Sequence, residues 1–289
     1  MCYTRMYLKN SGMELAPDAP MLRREVFSAA VCAAGLLLSY ELRGKDMRKL
    51  FLALALAAAL LAAGCGRSEQ GAQPQTVSRP AVESAERQFT APAAGQTVAV
   101  FDTSAGVFKA VLYPDLAPQA CENFIGLVNK GYYNGLTITR VEKDFVVGAG
   151  QGADGKGTTI WGGSRYPAEY TDRLHHYSGA LCAAADAAGE CASVFYVVQT
   201  LPDSVSQELT DQMTAAGYRA EVIAAYQAGG GAPYLDYGDT VFGQVIEGME
   251  TVDRIAQAAV DENQTPVEPI TIHSVSLSSY EAAAAAPAQ

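Results

Sequence analysis

The chain has 289 residues, of which 49% are hydrophobic and 18% charged, a composition typical of a globular protein with a sizeable core. Residues 1–64 carry 8 Lys and Arg and 5 Asp and Glu, so the rest holds 12 basic and 26 acidic residues, a formal net charge of −14. Such a surface repels nucleic acid and anionic lipid headgroups, which excludes both as expected partners.

The segment from Met47 to Cys65, MRKLFLALALAAALLAAGC, has a basic start, an apolar run and a small-residue end. The apolar run of about 14 residues is shorter than the roughly 20 needed to span a membrane. The segment resembles a bacterial lipoprotein signal peptide over residues 47–64. This implies lipidation of Cys65 and an extracytoplasmic protein held on the cell membrane only by its lipid anchor. Residues 1–46 are then interpreted as an upstream extension from a misassigned start.

Two segments of biased composition are expected to flank the folded domain. Residues 65–96 are rich in Gly, Pro, Ser and Gln and predict a flexible tether. Residues 280–289, YEAAAAAPAQ, predict a disordered tail. The folded domain is therefore expected over residues 97–279.

Short strands dominate the predicted domain. Residues 97–113 alternate around TSAG and predict a β-hairpin, and apolar residues at helical spacing after Pro118 predict a helix that ends at Gly131. Further strand-like runs are predicted at 138–147, 179–184, 195–199, 240–246 and 270–277, with a helix between the last two. Because regular βα alternation is missing, an antiparallel barrel or sandwich with a few helices is favoured.

Residues 203–231 have a helical pattern that separates two predicted strands and is interpreted as an insertion. A helical pair would pack against the barrel through five apolar residues, Leu209, Met213, Val222, Ile223 and Tyr226.

The cysteines and histidines of the domain do not have metal-ligand spacing, so no metal site is expected. Cys182 and Cys191 either close a short loop as a disulfide or are independent buried thiols. The adjacent His175 and His176, in RLHHYSG, are predicted to lie in a solvated loop.

Five motifs follow one another in chain order: LAPQACENFIGLVNKGYYNG, ITRVEKDFVVGAGQ, SGALCAAADAAGECASVFYVVQ, LDYGDTVFGQVIEGMETVDRI and ITIHSVSL. With the preceding hairpin they resemble the cyclophilin-type peptidyl-prolyl isomerases over residues 97–278. The resemblance implies a mainly β fold, a closed eight-stranded antiparallel barrel capped by two helices, with an apolar groove for an Xaa-Pro dipeptide. It implies no cofactor, because a fixed cationic donor beside a proline pocket suffices to favour a twisted amide.

The resemblance also assigns individual residues. Arg140 matches the catalytic arginine, which would donate to the prolyl nitrogen as the bond twists. The positions that match the proline pocket or the backbone-binding edge of the groove are Phe145, Val146, Ala184, Ala185, Tyr196, Tyr234 and Leu235. Two alternatives stay open: Arg140 as a surface arginine paired with Glu142 or Asp144, and the aromatic residues as ordinary barrel core.

Several polar positions depart from the family pattern. Thr139 and Asp239 stand where the family has histidine, and Gly148 and Val194 where it often has glutamine. Loss of such polar support usually weakens positioning. Asp239 could also pair with Arg140 and compete with substrate.

The leading hypothesis is a monomeric prolyl isomerase that acts on proline-containing unfolded or exported polypeptides and assists their folding. One alternative is a proline-binding or chaperone module with little turnover, and another is a surface lipoprotein that uses the barrel as an interaction scaffold. Because the 203–231 insertion leads directly into Tyr234 and Leu235, we expect it to border the proline pocket and to affect substrate choice.

Overall fold

The computed structural model describes residues 77–281. The predictions for the signal peptide, for Cys65 and for residues 282–289 of the tail lie outside the described residues. Within the described range, no helix combines the length and the apolar character that a membrane crossing requires.

One antiparallel sheet organises the described part of the chain. Its nine strands there are β1 (Thr97–Thr103), β2 (Gly106–Leu112), β3 (Arg140–Glu142), β4 (Val146–Ala149), β5 (Tyr166–Pro167), β6 (Ala180–Ala185), β7 (Glu190–Val198), β8 (Thr240–Glu247) and β9 (Ile272–Ser279). Eight of them follow the order β3-β4-β7-β6-β8-β2-β1-β9, and the two-residue β5 pairs with β7.

The sheet curls into an open barrel, so the predicted closed barrel is wrong. Among the described residues, the two end strands β3 and β9 share no ladder, and the segments before them meet in the isolated bridge Thr137–Thr271. The outer edge of β3 bonds instead to the loop before β9, since the Val141 amide donates to the Gln264 carbonyl at 2.8 Å and the Ile138 amide to the Ile270 carbonyl at 2.9 Å.

Four α-helices lie in the described residues: α1 (Pro118–Asn129), α2 (Gln207–Ala215), α3 (Ala220–Gly229) and α4 (Met249–Ala256). Helix α1 begins with proline at its first turn, where no backbone donor is lost, and is followed by Gly131 at φ +68°. The two helices α1 and α4 are those predicted outside the insertion. The insertion supplies α2 and α3, which brings the number to four.

The run over residues 138–147 was predicted as one strand but forms a hairpin. Arg140 pairs with Gly148 and Glu142 with Val146, which leaves a three-residue loop. The Phe145 amide donates to the Glu142 carbonyl at 3.1 Å. The uniform alternation hides the turn, because its residues include neither glycine nor proline.

The interior of the barrel is filled by aromatic side chains. Phe101 stacks on Phe108 with ring centroids 4.4 Å apart, and Phe124 and Phe195 pack around Phe101 at 5.9 and 5.5 Å. A cavity in this interior, lined by side chains of β1, β2, β4, β7, β9 and α4, measures about 10 Å³, room for one water at most. The interior of the barrel therefore has no room for a ligand the size of a dipeptide.

The cysteines of the described residues are free and buried. Of the two alternatives for Cys182 and Cys191, the structure has the independent thiols. Burial raises the pKa of the Cys191 thiol to about 11, so it stays protonated and unreactive at neutral pH.

A second apolar cluster, here called the outer cluster, lies on the other face of the sheet. Its members come from β2, β4, β6, β7 and β8 and from the loops beside them: Val111, Tyr113, Val146, Leu174, Ala180, Cys182, Tyr196, Val198, Ala232 and Val241, with the partly buried Leu116, Phe145, Ala184, Leu235 and Ile246. This cluster provides the apolar surface beside the candidate site.

The insertion packs through a third cluster centred on Tyr177 and Tyr226, whose rings lie 4.5 Å apart. All five apolar residues that were predicted to pack the helical pair belong to this cluster. The packing of the helical pair is therefore confirmed, but its apolar partners outside the insertion are Phe89 and Tyr177, which precede β1 and β6, and not residues of the barrel strands.

Residues 77–96, here called the N-terminal strap, lie against the domain although the sequence predicted a flexible tether there. Arg79 forms an ion pair with Asp253 of α4. The buried Gln88 donates to the Gln244 side chain at 2.8 Å. The strap therefore belongs to the packed domain over at least these positions, because charged and amide side chains can dock a polar segment that has few apolar residues.

Candidate active site

Arg140 begins β3, and its side chain is 53% exposed. Its Nε donates to Glu142 Oε1 at 2.8 Å, and a second guanidinium nitrogen contacts the same oxygen. Residues two apart in a strand lie on one face, which explains the pair. Of the alternatives left open by the sequence, the surface ion pair with Glu142 is thus present in the structure.

The same guanidinium also lies over an aromatic ring. The Arg140 Cζ atom is 5.9 Å from the centroid of the Phe145 ring, within the range of a cation–π contact. The Phe145 ring in turn lies 5.9 Å from the ring of Tyr234, whose side chain is exposed. A cation and two aromatic rings therefore follow one another at the protein surface.

The outer cluster forms the apolar floor beside Phe145. Val146 and Tyr196 are buried in it, on the adjacent strands β4 and β7. Ala184 and Leu235 line it from the end of β6 and from the loop before β8. Five of the seven predicted pocket residues thus share one cluster, and Tyr234 reaches it through its contact with Phe145.

Ala185 is the exception among the predicted groove residues. The alternation along β6 turns its side chain toward the barrel interior, as it does for Leu181 and Ala183, and its backbone amide donates to Asp239 Oδ1 at 2.8 Å. That amide is therefore already occupied, although the sequence placed it along the peptide-binding edge.

Asp239 organises the floor of the site and does not pair with Arg140. Its second oxygen accepts from the Tyr196 hydroxyl at 2.7 Å. Burial, together with the nearby Cys182 and Asp239, holds the pKa of the Tyr196 phenol well above its usual value. Tyr196 is therefore a neutral, fixed ring that presents apolar surface to the cluster.

The two adjacent histidines are buried, so the predicted solvated loop is wrong. His175 Nδ1 and His176 Nδ1 lie 3.0 and 2.7 Å from the two carboxylate oxygens of Asp236. The His176 ring stacks against Tyr196 with an interplanar angle of 18°. The hydrogen bonds to this carboxylate offset part of the free-energy cost of burying the two imidazole rings.

The departures from the family pattern leave little polar support directly around Arg140. A Cβ atom added to Gly148 would lie 3.5 Å from the Arg140 Cβ, an ordinary contact, so the backbone leaves space for a side chain there. In this chain the Arg140 guanidinium forms its ion pair with the Glu142 carboxylate. Within residues 77–281, no cluster of His, Cys, Asp or Glu could hold a metal ion.

Sequence reasoning missed one polar residue beside the site. Gln199 follows β7, is buried, and contacts both Asp144 and Phe145. A polar residue at the end of a buried apolar strand is a signal that could have identified it.

Chemically, the site offers a half-exposed cation at the edge of an apolar surface. A guanidinium can donate directed hydrogen bonds, and the aromatic and aliphatic side chains can receive an apolar ring. The arrangement is suited to binding a neutral peptide and to stabilising partial charge on one of its atoms.

Comparison with known proteins supports this chemistry. The family described as cyclophilin type peptidyl-prolyl cis-trans isomerase/CLD matches residues 98–277. A Staphylococcus saprophyticus protein, provisionally named a peptidyl-prolyl cis-trans isomerase, is 35% identical over 182 residues, which cover 62% of this chain and 90% of that protein. A Staphylococcus aureus protein with the same provisional name is 34% identical over 185 residues, 63% of this chain and 91% of that one.

Two solved structures share the fold. A cyclophilin-type isomerase from Cryptosporidium parvum has a TM-score of 0.51 at 22% identity, over 64% of this chain and 99% of its own. The same protein in the presence of the dipeptide Ala-Pro has a TM-score of 0.50 at 21% identity, over 63% and 99%.

Proposed function

This chain belongs to the cyclophilin-type peptidyl-prolyl cis-trans isomerases, and we propose that it isomerises Xaa-Pro bonds in exported polypeptides with Arg140 as its catalytic residue. The observation that carries the assignment of Arg140 is its position over the Phe145 ring, at the edge of the outer cluster. In the proposed function, the cation and the proline-binding surface act on the same peptide bond.

The proposed mechanism follows from the physics of the amide bond. Resonance gives a barrier of about 18–20 kcal/mol to rotation, and isomerisation without a catalyst takes tens to hundreds of seconds. As the bond twists, the prolyl nitrogen loses resonance and can accept a hydrogen bond. The Arg140 guanidinium would donate that hydrogen bond only in the twisted state. The bond would therefore stabilise the transition state without equally stabilising the bound substrate, and the activation free energy would fall.

The apolar residues of the site would hold the proline. Its ring would pack on the partly buried Phe145, above the floor formed by the buried Val146 and Tyr196, while Ala184 and Leu235 border it. Holding the ring while the preceding segment rotates allows a twist about one bond.

The choice of exported polypeptides rests on the amino-terminal sequence. Residues 47–64 resemble a lipoprotein signal peptide, and we propose that Cys65 carries the lipid that anchors the domain outside the cytoplasm. In that compartment the protein would meet polypeptides that emerge unfolded, with their prolyl bonds in both isomers. A role in folding follows because prolyl isomerisation is slow enough to limit folding.

Exchange NMR on an Xaa-Pro peptide tests the proposal with the full-length chain. We expect faster cis–trans exchange with the wild type and a loss of about a hundredfold or more in kcat/KM for Arg140→Ala. Lys109→Ala, which removes a surface cation on β2, is the matched control and should keep full activity. An Arg140→Ala variant as active as the control would contradict the proposal.

The second candidate function is a proline-binding module with little turnover. The ion pair of Arg140 with Glu142 favours it, because an occupied guanidinium is less available to a substrate. In the same NMR experiment, this module would show peptide-induced shifts at Phe145 and Tyr196 without faster exchange.

A further inference from the structure

The turn between β3 and β4 joins the catalytic arginine to the first aromatic residue of the proposed pocket. Asp144, at the centre of this turn, has φ +59°, a left-handed conformation that an L-residue adopts only at a cost. Such a conformation persists where surrounding contacts hold it. The contacts that hold Asp144 therefore help to set the position of Arg140 relative to Phe145.

Gln199 supplies these contacts. Its side-chain Oε1 accepts from the Asp144 amide at 2.8 Å, and its own backbone amide donates to the Phe145 carbonyl at 2.7 Å. The residue is 2% exposed, so water cannot readily replace either bond. One buried glutamine is thus hydrogen-bonded to two consecutive residues, Asp144 and Phe145, at the turn.

Gln199 is itself held by an ion pair that joins the N-terminal strap to α4. Its Nε2 donates to Asp253 Oδ1 at 2.9 Å. Arg79 contacts both oxygens of Asp253, with its Nε at 3.0 Å from Oδ2, and also donates to the Gln199 carbonyl at 3.0 Å. Asp253 is buried and its carboxylate accepts on both sides, so this arrangement fixes the orientation of the Gln199 amide.

We propose that Gln199 is a positioning residue for prolyl isomerisation and that the Arg79–Asp253 pair holds it in place. The inference rests on the proposed function. Gln199 does not lie among the groups assigned to touch the substrate; it acts through the turn that sets Arg140 against Phe145. It would compensate from beneath the turn for the polar side chains that are missing at Gly148 and Val194.

The test compares Gln199→Leu with Gln244→Leu in the full-length chain. Gln244 is a matched control, because it is also buried and hydrogen-bonded, to Gln88 and to the Ser178 carbonyl, but has no bond to the turn. For Gln199→Leu we expect kcat to fall about tenfold or more with a smaller change in KM. The Asp144 amide should exchange its hydrogen about tenfold faster or more, relative to amides of β1. Gln244→Leu should leave both quantities within about twofold of the wild type.

Arg79 gives a second test that leaves the buried glutamine in place. Arg79→Ala should lower kcat and accelerate Asp144 exchange in the same direction as Gln199→Leu, because Asp253 loses its cation. Arg79→Lys keeps the charge and should recover part of both losses. Equal kcat in the alanine and lysine variants, with unchanged exchange at Asp144, would contradict the role of the ion pair.

The outcomes separate this inference from the proposed function. If the wild type does not accelerate isomerisation, the proposed function fails, and the positioning role is then decided by binding of an Ala-Pro peptide and by Asp144 exchange. Weaker binding and faster Asp144 exchange in Gln199→Leu than in Gln244→Leu support the role. Equal binding and equal exchange in the two variants overturn it, as does unchanged kcat in Gln199→Leu when the wild type is active.

Discussion

Arg140 has two neighbours that act on it in opposite ways. Glu142 neutralises its guanidinium in a pair that is largely open to solvent, while Phe145 presents a ring face that favours the cation beside the pocket. Exposed ion pairs contribute about 0–1 kcal/mol to stability. Breaking the pair with Glu142 would therefore cost little, and the Arg140 guanidinium can still reach a substrate. In the proposed mechanism, Glu142 is therefore a modest competitor of the substrate for the Arg140 guanidinium.

Removing this competitor should raise activity. Glu142→Gln keeps the size of the side chain and removes its charge, so we expect kcat/KM to rise about two- to fivefold, the factor that corresponds to the small energy of an exposed pair. Glu247→Gln, which breaks the surface pair with Lys109, is the matched control and should change nothing. A fall in kcat/KM for Glu142→Gln would mean that the carboxylate orients the arginine and does not compete for it.

At the scale of elements, Asp236 joins the insertion to the loop beside the pocket. Its carboxylate accepts from His175 and His176 and from the hydroxyls of Tyr218 and Tyr226, the latter on α3. The insertion is therefore fixed next to residues 233–235 by hydrogen bonds as well as by apolar packing. The hypothesis that the insertion affects substrate choice stays a prediction, and this network is the route by which it could do so.

The network makes a prediction about pH and stability. Burial alone would raise the pKa of Asp236, but the hydrogen bonds and charges of the two histidines outweigh it and hold the pKa well below its usual value. A lowered folded-state pKa stabilises the fold above the unfolded value of about 3.9, and that stability is lost as pH falls below it. Urea unfolding at pH 7 should show a loss of about 3 kcal/mol or more for Asp236→Asn, because an amide cannot replace an acceptor of several donors.

The control for this prediction is Asp211→Asn, an exposed change on α2 that should cost little. Repeating both measurements near pH 3 completes the test. The difference between Asp236→Asn and the wild type should shrink there, and a difference that stays constant with pH would contradict the assignment of a charged Asp236.

At the scale of the whole molecule, the acidic domain and its amino-terminal segment have different roles. The formal charge of −14 disfavours contact with anionic membranes, so the proposed attachment depends on the lipid at Cys65 and not on the protein surface. The N-terminal strap begins 12 residues after Cys65 and already contacts the domain at Arg79. A lipid on Cys65 would therefore hold the domain close to the membrane.

Lipidation can be measured by detergent phase partition of the chain expressed in bacteria. We expect the wild type in the detergent phase and Cys65→Ser in the aqueous phase, because the thiol is the attachment point of the lipid. Cys32→Ser, upstream of Met47, should behave as the wild type. Partition of Cys65→Ser into the detergent phase would contradict the lipoprotein assignment.

The sequence by itself determined the family and the strand-rich class, and it predicted most of the residues that lie together at the candidate site. Local patterns suffice for these features, because β1, β2, α1 and the apolar insertion residues depend on alternation or helical spacing within a few positions. The family motifs likewise identify Arg140, Phe145 and Tyr196 as candidate site residues, because each is recognised by its place within a motif.

Only the tertiary structure decided how the polar residues pair. His175 is buried because Asp236, 61 residues later, accepts a hydrogen bond from its ring, and Gln199 holds a turn formed 55 residues earlier. The N-terminal strap lies against the domain because Arg79 forms an ion pair with Asp253, which comes 174 residues later in the chain. The barrel is open because the outer edge of β3 bonds to Gln264, in the loop before β9, and not to β9 itself. The sequence does not show whether a polar side chain forms its hydrogen bonds with water or with a residue far along the chain. Burial of such a side chain with a partner is therefore decided only when the chain has folded.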